Sequence, residues 1–431
     1  MLGKIKNFWH RLGPGLITGA ADDDPSGIVT YSFAGAKFGL GALLTVLGTL
    51  PFMIIVQRMA GRIGLVSGKG LAGNMKRFYP KWIIISVALI ILTTNIINIG
   101  ADISAMSVAF NTVVPATSPI LFSVIISTSV VLALIFFSYR RIASYLKWVA
   151  MIMLSYVLAS FLIQQNWFEV IKSAIIPQIT LNRDYILMVA AVFGTTISPY
   201  LFFWQASEVA EEEKMHQDPG IDQATMIPNT EAHGTHRSTK IIKNEIGSMY
   251  KDVRYGMFFS NLIMFFIITL TSATLFKNGI TDIQTVEQVA SALHPLAGQY
   301  TNLLFMLGLL ASGILAIPVL AGSAAYALTE LFGWKYGFNN KFKGAKQFYL
   351  IIIISTALGI LIPVLGLHPV QILVYTALMY GMISPLMIAL LIHMANNPKI
   401  MGKYTSRLHS NIIAYSLFCI MTAGIIAIMM L

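Results

Sequence analysis

Ala21-Asp22-Asp23-Asp24-Pro25-Ser26-Gly27 is a polar stretch in the middle of the first long apolar segment of this chain. A second proline-containing stretch, Gly194-Thr195-Thr196-Ile197-Ser198-Pro199, lies midway through a later apolar segment. Proline lacks a backbone N–H, so each helix is predicted to unwind there and to free a carbonyl group. In hydrocarbon, freed backbone groups need partners. Broken helices in the two halves of a transporter give such groups to an ion or substrate at the membrane midplane. Carboxylates at the first break and hydroxyls at the second favour a hard cation.

The composition is that of a membrane protein. Hydrophobic residues make up 56% of the 431 residues, charged residues only 11%, and the mean hydropathy is +0.73. A soluble domain is about 25% charged. The net charge of +11 would indicate nucleic acid in a soluble protein, but here it is attributed to orientation in a lipid bilayer, and no nucleic-acid partner is expected. Cys419 is the single cysteine, which excludes an internal disulfide and a cysteine metal site.

Eleven apolar runs, each long enough to cross a bilayer, divide the sequence. The predicted spans are 13–38, 41–61, 82–110, 118–138, 144–164, 185–207, 255–276, 302–328, 348–366, 370–394 and 409–430. They predict an all-α protein with a single transmembrane transport domain, residues 1–431.

The distribution of basic residues predicts the orientation of these spans. With the N-terminus in the cytoplasm, only Lys37, Lys172, Arg183 and Lys277 of the 29 Lys and Arg residues fall on the outer side. Such an asymmetry follows the positive-inside rule, and one span more or fewer would destroy it. The N-terminus lacks a cleavable signal pattern. We therefore expect a multi-pass protein of the cell (inner) membrane.

One long polar loop, 208–253, is predicted on the cytoplasmic side. Residues 208–236 are rich in acidic and turn-forming residues and have no apolar period, which is typical of mobile chain. Residues 238–253 have apolar residues at helical spacing, which predicts an amphipathic helix on the inner surface before span seven.

Four carboxylates inside apolar spans are the main candidates for function. They are Asp22, Asp23, Asp24 and Asp102, and a charge at a helix centre costs roughly 3 kcal/mol on insertion scales. A structural role, such as capping the second half of span one, would explain one of the first three but not all. Asp102 and Asn98, one helical turn apart, either face the same cavity or form a structural hydrogen-bond network between helices.

Leu12-Gly13-Pro14-Gly15 followed by Asp24-Pro25-Ser26-Gly27 resembles the first-helix signature of the Nramp family of divalent-metal transporters. Gly194-Thr195-Thr196-Ile197-Ser198-Pro199-Tyr200-Leu201 is similar to the sixth-helix stretch of that family. The number of spans and their orientation also agree. The resemblance implies a LeuT-type inverted repeat, with spans one to five against six to ten, broken helices one and six, and one additional helix.

The resemblance also implies which residues hold the metal. By position, the family's ligands correspond to Asp24, Gly27, Thr195 and Ser198. Gly27 stands where the family has Asn, and Ser198 where it has Met. A thioether favours soft metals such as Mn²⁺, Fe²⁺ and Cd²⁺. Its loss, together with a wider pocket, suits partly hydrated Mg²⁺. This chain therefore resembles most the Nramp-related magnesium transporters, with the ion as substrate and no cofactor.

The groups that carry protons in the family are largely replaced. Ala105 stands where the family has Glu, Tyr200 and Gln205 occupy its usual His positions, and span nine has no charged residue. Since a relay needs groups that exchange protons near neutral pH, we expect uptake without proton coupling. Asp22, Asp23, Asn98, Asp102, Tyr200 and Gln205 are candidates for the second shell or the pathway.

Other functions remain open at this point. A proton-coupled Mn²⁺/Fe²⁺ symporter is disfavoured by the missing Met, and an amino-acid transporter by three acids that would repel a substrate carboxylate. A passive cation channel would need a continuous pore. No sequence motif of an enzyme is present, so no enzymatic activity is expected. The sequence does not determine the oligomeric state, and a monomer would be sufficient for transport.

Overall fold

The computed structural model describes residues 14–137, 151–176, 182–217 and 239–430, and the regular elements of these residues are helices. The main helices are α1 (Pro14–Asp22), α2 (Pro25–Phe38), α3 (Leu44–Ser67), α4 (Leu71–Phe78), α5 (Lys81–Val113), α6 (Pro119–Phe136), α7 (Leu154–Leu162), α8 (Trp167–Ile175), α9 (Arg183–Thr196), α10 (Pro199–Gln217), α11 (Thr239–Thr274), α12 (Thr301–Phe332), α13 (Lys346–Gly359), α14 (Pro369–Asn396) and α15 (Leu408–Met430). Short helices at Val286–Ser291, His294–Ala297, Leu361–Val364 and Pro398–Met401 connect them.

Each predicted span corresponds to a helix or a pair of helices. Within the described residues, 9 helical segments are long and apolar enough to cross a membrane by themselves. Pro25–Ser67 counts as one such segment, although it contains the second half of span one and all of span two. Span five is described only from Met151 onward, as the shorter apolar helix Met151–Leu162, and its predicted beginning lies outside the described residues.

The predicted cytoplasmic loop differs from the structure at both of its ends. Helix α10 continues as far as Gln217. Glu211, within it, accepts hydrogen bonds from the hydroxyl of Tyr326 and from the backbone N–H of Asn339, the latter at 2.7 Å. At the other end, α11 runs unbroken from Thr239 into span seven, so no separate surface helix precedes that span. Residues 218–238 lie outside the described residues.

The relative directions of the helices agree with the predicted alternation of spans. Helices α1 and α11 run parallel and very close, because a Cβ on Gly19 would overlap the carbonyl of Gly256. Helices α5 and α12, from spans three and eight, run antiparallel: Asn95 donates to the Leu320 carbonyl at 2.9 Å, whereas Met106 packs against Gly313. Spans one and seven therefore share one direction, and spans three and eight have opposite directions, as the predicted alternation requires.

The end of span one and the start of span six lie on the same side. Lys37, in the last turn of α2, forms an ion pair of 2.8 Å with Asp184 at the start of α9. This contact agrees with the prediction that Lys37 and Arg183, the neighbour of Asp184, lie on the same side of the membrane.

Large apolar side chains cover the outside of the helical bundle. Leu121 on α6, Phe161 on α7 and Leu386 on α14 are 56%, 60% and 49% exposed. Large exposed apolar surfaces mark contacts with lipid or with another protein, and contact with lipid fits the apolar spans of this chain. Many polar side chains of the spans are buried instead, including those beside the two broken helices.

Candidate metal-ion site

The first break separates α1 from α2 and is organised by Asp24. Asp24 is the N-cap of α2, with extended backbone (φ −68°, ψ 172°), and its carboxylate accepts the N–H of Gly27 at 2.6 Å. Pro25 follows at the first helical position, where its missing N–H costs nothing. One oxygen of Asp24 thus caps the helix, as carboxylates do at helix starts. The other oxygen points away from it.

Helix α5 supplies the polar groups that face this second oxygen. The amide of Asn98 donates to Oδ2 of Asp24 at 2.8 Å, and the Oδ1 atom of Asn98 has no hydrogen-bond partner. Asp102 lies one helical turn further on, and both of its carboxylate oxygens lack a partner with good hydrogen-bond geometry. Asp24 and Asp102 lie close enough to interact electrostatically. Buried oxygens without donors are suited to a cation.

The second break separates α9 from α10 and is held by hydroxyl groups. The hydroxyl of Ser198 donates to the carbonyls of Gly194 (2.7 Å) and Thr195 (2.8 Å). The carbonyl of Ile197 accepts the hydroxyl of Ser384 from α14 at 3.0 Å. Ser198 therefore stabilises the end of α9 through its proton, and its oxygen lone pairs stay available.

Tyr200 and α14 bring the two breaks together. The hydroxyl of Tyr200, at the start of α10, donates to the carbonyl of Ala21 at the end of α1, 3.2 Å away. Helix α14 contacts both breaks. Its Ser384 bonds to Ile197 at the second break, and its Leu373 carbonyl accepts the hydroxyl of Ser26 at the first break, at 3.0 Å. The ring of Tyr380 on α14 lies 5.4 Å from that of Tyr200. The freed backbone groups are thus shared between the two halves of the chain.

Three of the predicted second-shell residues form no hydrogen bond with Asp24 and bond to other helices instead. Gln205 is further along α10, where its Oε1 atom accepts the hydroxyl of Thr18 from α1 at 2.7 Å. Asp22 and Asp23 turn toward α11 and both accept the hydroxyl of Ser260, at 2.7 Å and 3.2 Å. The three consecutive aspartates therefore face two different helices.

The residues of the site between the breaks are almost completely shielded from solvent. Asp24, Thr195 and Ser198 are 2%, 3% and 1% exposed, and Asp102 is fully buried. No group of three or more His, Cys, Asp or Glu side chains that could hold a metal occurs in the described part of the chain. A cation at this position would therefore be bound by one or two carboxylates together with amide, carbonyl and hydroxyl oxygens.

The polar groups on α11 and α14 were not predicted from the sequence. Ser260, Tyr380 and Ser384 lie in spans that contain neither an acid nor the broken-helix pattern that marks spans one and six. The signal that could have found them is their spacing. Tyr380 and Ser384 are four residues apart, so they share one face of α14, and Ser260 follows Gly256 by the same interval.

Comparison with known proteins places this geometry in a family. Residues 15–431 match the family described as natural resistance-associated macrophage protein-like, Nramp. The chain belongs to the Nramp family. A relative from Caldanaerobacter subterraneus, described as the divalent metal cation transporter MntH, is 22% identical over 410 residues, which cover 93% of this chain and 88% of the relative.

Solved structures confirm the fold of this Nramp protein. The manganese transporter of Eremococcus coleocola superimposes with a TM-score of 0.77 at 15% identity, over 98% of this chain and 87% of that structure. MhsT in complex with L-phenylalanine superimposes with a TM-score of 0.60 at 13% identity, over 97% of this chain and 98% of its own. The predicted all-α, LeuT-type fold with broken helices one and six is confirmed. Membership of a transporter family also confirms that the chain is not an enzyme.

Replacement of Asn98 is expected to weaken cation binding without unfolding the protein. Asn98→Ala removes the donor that orients Oδ2 of Asp24 and the free Oδ1 atom beside it. Residues that are hydrogen-bonded to a metal ligand typically contribute roughly 10–100-fold to metal affinity. We expect the Mn²⁺ affinity, measured by calorimetry, to fall by a factor in that range. Asn111→Ala, on the same helix but bonded to the Thr117 carbonyl, is the control. Equal affinities in the two variants would exclude Asn98 from the site.

Proposed function

We propose that this Nramp protein carries divalent metal cations into the cytoplasm by alternating access, and that its main substrate is partly hydrated Mg²⁺, with Mn²⁺ as a competing ion. Asp24, Gly27, Thr195 and Ser198 would hold the ion, with Asn98 and Asp102 beside it. The occluded site between two broken helices supports alternating access rather than an open channel. The N-terminus is placed in the cytoplasm, as the distribution of basic residues favours.

Ser198 is the observation that carries the preference for Mg²⁺. It stands at the position where the family has a Met ligand, and its hydroxyl is engaged with the Gly194 and Thr195 carbonyls. The proposed donors are therefore all oxygens, which suit a hard ion. Without a thioether the site does not discriminate in favour of soft metals.

The absence of proton coupling is supported by where the titratable groups lie. His368 is the N-cap of α14 and His393 is in its last turn, so both stand at the ends of that span. Gln205, at a usual His position, is bonded to Thr18 instead. A membrane potential would be sufficient to drive uptake, since a divalent ion gains about 4.6 kcal/mol per 100 mV, twice the value for a single charge.

A proton-coupled Mn²⁺ transporter is the second candidate. The descriptions of the relatives, MntH and a manganese transporter, favour Mn²⁺. Asp102 also favours it, because its buried carboxylate lies near Asp24 without a well-formed hydrogen bond and could exchange a proton when the ion binds.

Uptake into liposomes of purified protein separates the two candidates. Internal Mg²⁺ or Mn²⁺ and internal pH are recorded together, with an inside-negative potential set by a K⁺ gradient and valinomycin. The proposal predicts Mg²⁺ uptake that saturates, is accelerated by the potential, and leaves the internal pH unchanged. Protein-free liposomes are the control. Mn²⁺ uptake that is not inhibited by Mg²⁺, or a proton influx that depends on the metal, would instead support the ordinary Nramp symporter.

Ser198→Met tests the selectivity of the site. The substitution introduces a thioether and removes the hydroxyl that satisfies two carbonyls, so we expect Mn²⁺ and Cd²⁺ uptake to increase relative to Mg²⁺ uptake by roughly tenfold, equivalent to about 1.4 kcal/mol. Ser198→Thr retains the hydroxyl and should retain the wild-type ratio. The measurement is competition between the metals in the liposome assay. An unchanged ratio in Ser198→Met would show that this position does not select the metal.

A further inference from the structure

Asp22 and Asp23 form a second carboxylate cluster that the proposed transport site does not use. Both side chains are fully buried. They share the hydroxyl of Ser260 on α11, whereas Asp24 bonds to Gly27 and to Asn98 on α5. Two carboxylates therefore lie on the α11 side of the first break, and one lies on the α5 side.

The close packing of α1 on α11 fixes this arrangement. Gly19 and Gly256 meet without space for a side chain, and the two helices run parallel from that contact. One helical turn further along each of them, Asp22 and Asp23 meet Ser260. The positions of Asp22, Asp23 and Ser260 are thus fixed by close packing of two helix backbones. They do not depend on the rotamer of a single side chain.

Several oxygens of this cluster lack partners. Oδ1 of Asp22 and Oδ2 of Asp23 have no hydrogen-bond partner, and the same is true of the hydroxyl of Tyr31. The ring edge of Tyr31 borders Gly27, and the hydroxyl interacts electrostatically with Asp22 and Asp23 and, more weakly, with Asp24. Neither aspartate forms an ion pair with Lys or Arg in the described part of the chain, and the charges that act on them come from neighbouring aspartates.

We propose that Asp22, Asp23 and the hydroxyls of Ser260 and Tyr31 form a second site for a hard divalent cation, next to the Asp24 site and facing α11. Two adjacent buried carboxylates repel each other and are costly without a compensating charge, which a divalent ion supplies in full. The donors are all oxygens, and Mg²⁺ or Mn²⁺ can complete such a shell with water. The identity of the ion rests on the proposed function.

Mn²⁺ binding to the purified full-length protein tests this site without relying on transport. Equilibrium dialysis, with free Mn²⁺ measured by electron paramagnetic resonance, should give two Mn²⁺ ions per chain at saturation, both displaced by excess Mg²⁺. Asp22→Asn combined with Asp23→Asn should leave one ion. Ser260→Ala should lower the Mn²⁺ affinity of one of the two sites by roughly 10–100-fold. Ser312→Ala is the matched control, since Ser312 is also fully buried in a span but bonds to the Leu309 carbonyl of its own helix.

The stoichiometry distinguishes failure of this inference from failure of the proposed function. A single Mn²⁺ in the wild type, unaffected by the Asp22 and Asp23 substitutions and by Ser260→Ala, would overturn the second site and leave the Asp24 site standing. No Mn²⁺ binding at all would overturn both. If the double variant does not fold, a wild-type stoichiometry of one would still overturn the second site, and Ser260→Ala would still test its position.

Discussion

Asp24→Ala is expected to reduce Mg²⁺ and Mn²⁺ uptake to the background of protein-free liposomes. Asp24 is the one acid that bonds both to the start of α2 and to Asn98 on α5. Loss of a charged ligand should exceed the roughly 10–100-fold effect of losing a ligand's partner. Loss of the N-cap costs only about 1 kcal/mol, so the protein should still fold and insert. The uptake rate, normalised to inserted protein, is the measurement.

Two further substitutions sharpen this result. Asp24→Asn keeps the shape of the side chain and an oxygen for the Gly27 N–H, so it isolates the charge, and it should be as inactive as Asp24→Ala. Asp282→Asn removes an exposed carboxylate that contacts Gln284 and should transport normally. Wild-type uptake by well-inserted Asp24→Ala would disprove the proposed site and make Asp22 or Asp23 the better candidate for the ligand.

Gly194→Ala is expected to impair both stability and transport. A Cβ on Gly194 would overlap the carbonyl of Ala377 and lie 2.5 Å from the backbone nitrogen of Gly381, so α9 and α14 would have to separate. Overpacking of this kind costs roughly 1–3 kcal/mol. The carbonyl of Gly194 accepts the Ser198 hydroxyl, and Thr195 follows directly, so a shift of the backbone also displaces a proposed ligand. We expect a lower melting temperature and at least about tenfold slower uptake, in keeping with the effect of misplaced groups.

Gly247→Ala is the control for the glycine substitution. Gly247 lies in α11, and a Cβ added there would have no neighbouring atom within 4 Å, so alanine meets nothing. Alanine is favoured over glycine in a helix by roughly 0.5–1 kcal/mol, and the control should be as stable as the wild type or more stable. If Gly194→Ala melted and transported like Gly247→Ala, the close contact of α9 with α14 would have no role in the site.

The sequence predicted the spans because the rule behind them is local. Apolar runs of bilayer length identify a span without any knowledge of its neighbours, and Pro25 and Pro199 mark the two breaks for the same reason. The prediction was less accurate beyond the membrane. Glu208 and Glu211 were assigned to irregular chain because they are acidic, yet they lie in a helix and bond to Tyr326, a contact that depends on α12.

The partners of the site residues could not be predicted. Nothing local to Asp22-Asp23-Asp24 indicates that the first two face α11 and the third faces α5, since this follows from the contact of Gly19 with Gly256. Ser198 was predicted only as a metal ligand. In the structure its hydroxyl also donates to the carbonyls of Gly194 and Thr195 at the end of α9.

The sequence by itself determined which segments are apolar enough to span a membrane and the two positions where backbone groups are freed, because hydrocarbon penalises every unsatisfied polar group and so leaves a clear pattern in the chain. Tertiary structure alone decided the partners: Tyr200 bonds to the Ala21 carbonyl, Ser384 to the Ile197 carbonyl, and Ser260 to the Asp22 carboxylate. The members of these pairs are separated by 179, 187 and 238 positions along the chain. Hydrogen bonds act over only about 3 Å, so helix packing, which no local pattern encodes, selects the partners.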